Sequence, residues 1–138
     1  MENRAGRHAA LTKRLLESVL GTSGHTDTEL RRAVFARAFG HHPPGGEDIA
    51  LDLAAYVDKV ARHAYKVTDE DLAALKRAGN SDDVLFETTV AAALGAALGR
   101  LERGLSALRG EASPPEPLSR VGPHPLTPSP SGRGGTQE

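Results

Sequence analysis

An all-α fold is the class this sequence predicts, and three observations carry it. Apolar residues recur at three- and four-residue steps along most of the first 110 positions. Capping residues and glycines punctuate those runs where helices begin and end. Only five of the 138 residues are aromatic, so the core has to be built from Leu, Val and Ala. Such a core suits closely packed helices better than strands.

The elements follow in order. Leu11, Leu15 and Val19 repeat every four residues, and Gly21 and Gly24 end that first helix. Thr26 followed by Glu29 has the spacing of a capping box. Leu30, Val34, Phe35, Ala38 and Phe39 mark one face of a second helix, which the GHHPPGG stretch at 40–46 breaks. A third helix is expected from near Glu47, with Ile49, Leu53, Val57, Val60 and Ala64 as its apolar stripe. Thr68 is placed to cap a fourth helix, with Asp71 at N3, and Val67 and Leu72 stand as a hydrophobic staple. Gly79 ends that helix. Ser81 caps the next, with Asp82 and Asp83 in its first turn, where the helix dipole favours acids. This fifth helix is expected to run to Leu108 and stop at Gly110.

The fifth helix carries two overlapping patterns. Leu94, Leu98, Leu101, Leu105 and Leu108 alternate four- and three-residue steps, the a/d spacing of a helix seam. Beside them Ala91, Gly95 and Gly99 stand four apart. A mid-helix glycine costs about 1 kcal/mol relative to alanine, so two on one face imply close packing of another backbone there. That partner is either a helix of the same chain or a second subunit.

The chain divides near Gly110. Residues 111–138 hold seven of the nine prolines and hardly an apolar cluster. They are expected to form a disordered tail behind a single helical domain at 1–110, because such a segment buries too little surface to offset its chain entropy.

Composition excludes several functions. Seventeen basic and 18 acidic residues leave a formal charge of −1, so no large field exists to hold nucleic acid or an acidic membrane. No cysteine is present, which removes disulfides, thiolate catalysis and cysteine metal sites. The most apolar run, residues 90–98, is shorter than a bilayer span, and the N-terminus lacks the apolar stretch of a secretion signal. A cytoplasmic protein is the expectation. A helix–turn–helix reading has basic segments to draw on, but the helix after Gly79 opens with Asp82 and Asp83, where a recognition helix would meet phosphates.

From about residue 51 to 108, LAALKRAGNSDDVLFETTVAAALGAAL and the residues before it resemble the AhpD-like/carboxymuconolactone decarboxylase family. The resemblance implies a small oligomerising bundle of about five helices. Redox members carry Cys-x-x-Cys-x-x-x-His at the start of a helix that closes with alanines and a glycine. Anchored on Gly79, those positions fall on Ala64, Val67 and Asp71, and the family's upstream relay glutamate falls near Asp52. Neither Ala64 nor Val67 can attack peroxide or resolve a sulfenic acid, so thiol peroxidase activity is not expected. The decarboxylase branch needs no cysteine pair, but it resembles the pattern in keeping a histidine. Asp71, at a helix N3 position, is expected to stay ionised instead.

Other candidate groups are few. Asp52, Tyr56, Lys59 and His63 share one side of the third helix, an assortment able to move protons if it lines a cleft and a plain polar face if it does not. Glu87 follows Phe86 in the most apolar helix, as a buried acid or on its solvent side. His41 and His42 are adjacent in a proline-rich loop and have no evident third ligand, so no metal or other cofactor is expected. The sequence therefore favours a non-catalytic structural or interaction protein, homo-oligomeric, with no nucleic-acid or membrane partner. The alternative is a cysteine-independent decarboxylase-like enzyme or small-molecule binder using Asp52, Tyr56, His63 or Glu87.

Overall fold

The computed structural model describes residues 4–40 and 49–110. They form five helices: α1 Arg4–Gly21, α2 Thr28–Phe39, α3 Leu51–His63, α4 Asp69–Arg77 and α5 Asp82–Leu108. A 3-10 turn, Ala64–Lys66, joins α3 to α4, and no strand occurs among the described residues. The all-α expectation therefore holds. His41, His42 and the segment 111–138 lie outside the described residues.

The core is a small aliphatic cluster between α2, α3 and α5. Val34 and Ala38 come from α2, Leu53, Val57, Val60 and Ala61 from α3, and Leu85, Ala91, Ala92 and Ala96 from α5. Leu75 of α4 closes one end. The small residues of α5 permit its close approach to α2. A methyl group on Gly99 would stand 2.5 Å from the Phe39 carbonyl oxygen, and one on Gly95 would meet the Phe35 carbonyl oxygen. The glycine face is therefore filled by the chain's own α2, not by a second subunit.

Several helix ends follow the expected chemistry. Thr68 Oγ1 accepts from the Asp71 N–H, and Asp71 Oδ2 accepts from the Thr68 N–H, a reciprocal box with an aspartate in place of the usual glutamate. Val67 and Leu72 both pack against the core. Gly79 takes φ +103°, and the Gly79 and Asn80 N–H groups donate to the Lys76 and Leu75 carbonyls. This is the Schellman closure that favours glycine at that position. Ser81 Oγ accepts from the Val84 N–H at the start of α5.

Four expectations require correction. The third helix begins at Leu51, with Ala50 as its N-cap, not near Glu47, and Ala64 falls in the 3-10 turn, exposed. Thr26 does not cap α2. Asp27 does, accepting from the Glu29 N–H, because Thr26 is engaged elsewhere. The stripe on α1 is only half used: Val19 and Leu20 reach the core, whereas Leu11 and Leu15 remain exposed. Finally, α5 as a whole is long and apolar enough to cross a membrane by length and composition. Its buried face nevertheless supplies the core against α2 and α3, so a long apolar helix is here the spine of the bundle.

Candidate functional site

The polar side of α3 meets α4 across a shallow cleft of about 200 Å³. Asp52, Tyr56 and Lys59 line it from α3, and Asp71 and Leu75 from α4. Three of the four α3 candidates are thus brought together. His63 is not among them: it is exposed past the end of the cleft, with its ring edge-on to Tyr65 at 6.0 Å.

Each polar group in the cleft already has work in the fold. Lys59 Nζ donates to Asp71 Oδ2 at 2.7 Å, and the Thr68 N–H donates to the same oxygen at 2.9 Å. The Lys59 hydrogen bond first, and the Thr68 backbone second, hold the Asp71 carboxyl below its ordinary value. An ammonium and a carboxylate locked to one another are poor candidates for base or nucleophile. Tyr56 is buried, and its hydroxyl lies 2.8 Å from Thr89 Oγ1. Thr89 spends its own proton on the Leu85 carbonyl at 2.6 Å, so Tyr56 must be the donor of the pair. Asp52 is exposed and accepts from the Leu53 N–H at 2.9 Å, steadying the first turn of α3.

Glu87 belongs to another place and another task. It projects from α5 toward the loop between α1 and α2. The His25 N–H donates to Oε1 at 2.8 Å, the Thr26 N–H to Oε2 at 2.8 Å, and the Thr26 hydroxyl also to Oε2. The side chain is only 19% exposed. Hydrogen bonds from Thr26 and then His25 lower its pKa from 4.5 to about 2. The acid is therefore a fixed anion that ties the loop to α5. Gly24 leaves room for it, since a methyl there would stand 2.5 Å from the carboxylate.

Sequence reasoning counted Arg31, with Arg32 and Arg37, only as part of a basic segment and gave it no place in the fold. Its side chain is buried and donates to the carbonyls of Val19, at 2.8 Å, and Thr22. A cation at the C-terminal end of α1 matches the negative end of the helix dipole. No local signal marks it. Arg31 and Arg32 read alike in the sequence, and only the approach of α1 decides which one is buried.

Ala64 opens the 3-10 turn and Val67 closes it, with the Val67 N–H donating to the Ala64 carbonyl at 3.2 Å. Asp71 follows as the capping-box acid already described. The described residues thus define an all-α protein whose candidate polar groups act mainly as caps and ties. No family model, curated protein or solved structure matches the chain.

Proposed function

We propose that this protein is a non-catalytic structural or interaction module on an AhpD-like scaffold, and that it associates with itself. One observation carries the reading. Leu101, Leu105 and Leu108 on the last turns of α5 are 53%, 42% and 85% exposed. They continue the seam begun by the half-buried Leu94 and Leu98. An a/d leucine row is the surface one helix offers another of like pattern. α2 ends at Phe39, beside Gly99, so it does not extend along these turns. A formal charge of −1 means that two copies repel each other little.

The cleft on α3 is the feature that favours the alternative, a decarboxylase-like enzyme or small-molecule binder. Against it stand the mutual pairing of Lys59 with Asp71, the committed proton of Tyr56 and the position of His63 outside the cleft. The self-association reading expects the full chain to sediment as a dimer or larger species, with the population rising with concentration.

The scaffold has its own test. Residues three apart across the Ala64–Val67 turn lie within the usual reach of a disulfide. The double variant Ala64→Cys, Val67→Cys should form an intramolecular disulfide on mild oxidation while keeping its helical circular dichroism. Two free thiols in a folded, oxidised sample would count against the AhpD-like assignment.

A further inference from the structure

We infer that the cavity where the C-terminal ends of α2 and α3 meet α5 binds the phosphate group of a small anionic molecule. It measures about 250 Å³, below the roughly 300–1,000 Å³ of sites for drug-sized ligands. Four arginines line it: Arg37 from α2, Arg62 from α3, and Arg100 and Arg103 from α5. Asp58 is the one carboxylate in its wall among the described residues. Arg62 stands one turn from Asp58, and Arg103 one turn from Arg100, so α3 and α5 each turn two charged residues to the same cavity.

Helix capping accounts for part of this cluster. Arg100 donates to the Ala61 carbonyl of α3, and Arg103 donates to the Phe39 carbonyl of α2 at 3.1 Å. Arg37 grips Asp58 in two parallel bonds of 2.8 and 2.9 Å. Capping does not account for all of it. The guanidiniums of Arg100 and Arg103 each carry five N–H donors, and these acceptors use only a few of them. The guanidinium of Arg62 makes no hydrogen bond or ion pair among the described residues. Charge points the same way. Among the described residues Asp58 cancels one of the four positive charges, and the two helix C-termini offset about half a charge each. Roughly two positive charges remain, which matches a dianion such as phosphate. Arginine suits this ligand because its planar fork meets two phosphate oxygens at once.

Titration of the full chain with inorganic pyrophosphate at low ionic strength, followed by calorimetry, tests the inference. The wild type should bind saturably, with one ligand per chain. Arg62→Gln should weaken binding about tenfold or more, the usual loss for a hydrogen bond to a charged group. Arg103→Gln should act in the same direction, and Arg32→Gln, on α2 outside the cavity, should leave affinity unchanged. Because Arg62 is exposed and makes no hydrogen bond or ion pair among the described residues, its variant tests the site without disturbing the fold. Heat that tracks ionic strength alone, or equal affinity in the wild type and Arg62→Gln, would overturn the inference. So would a single-stranded oligonucleotide whose binding depends on Arg62 when that of pyrophosphate does not.

Discussion

Glu87 shows how an acid that could pass for a catalytic group is instead a structural one. Three donors from His25 and Thr26 converge on its carboxylate and favour the ionised form. Since the folded pKa lies below the unfolded one, the anion's contribution to stability is complete above pH 4.5. That contribution is lost as pH falls from 4.5 toward about 2. Glu87→Gln should therefore cost about 1.5–3 kcal/mol at neutral pH, the range for hydrogen bonds to a charged group. Denaturant titrations across that window should show the two proteins converging as the acid protonates. A variant as stable as the wild type at neutral pH would mean the loop does not depend on this anchor. The sequence exposes Glu87 as an unusual acid in an apolar helix, but not its partners, which lie 61 and 62 residues earlier in the chain. Separations of 33 and 12 residues likewise hide the donor role of Tyr56 and the Lys59–Asp71 pair, because each joins separate helices.

Local grammar is far more legible at the level of the element. The Thr68–Asp71 box, the Gly79 stop and the Ser81 cap depend on neighbours within a few residues, and the structure forms all three. The Thr26 cap fails for a non-local reason: Glu87 claims that residue first. The glycines of α5 fall between these cases. Their spacing signals a close contact, but only the fold shows that α2 makes it. Gly95→Ala should destabilise the bundle by about 1–3 kcal/mol, because overpacking against the Phe35 carbonyl outweighs the gain of about 1 kcal/mol in helix propensity. Gly99→Ala should behave alike beside Phe39. Gly104, on the same helix, has nothing within 4 Å of an added methyl, so Gly104→Ala should stabilise by up to about 1 kcal/mol. Thermal unfolding of the three variants measures both signs. A stabilised Gly95→Ala would show that α2 and α5 are less closely packed than described.

For the whole molecule, a core this small and aliphatic leaves the last turns of α5 with no partner among the described residues. The bundle buries the first half of that helix and leaves its last turns, with three leucines, in solvent. The seam is legible in the sequence as a heptad pattern, but its exposure is not, because exposure depends on where α2 ends. Sedimentation equilibrium of the full chain beside a Leu101→Glu, Leu105→Glu variant tests self-association through this row. Both positions are open to solvent in the single chain, so the double variant should keep the wild-type helical circular dichroism. The wild type is expected to sediment as a dimer or larger species, and the variant as a monomer, since paired carboxylates at a and d positions cannot be buried without large cost. A wild type that stays monomeric at its highest soluble concentration, or a variant that associates as strongly as the wild type, would contradict the claim.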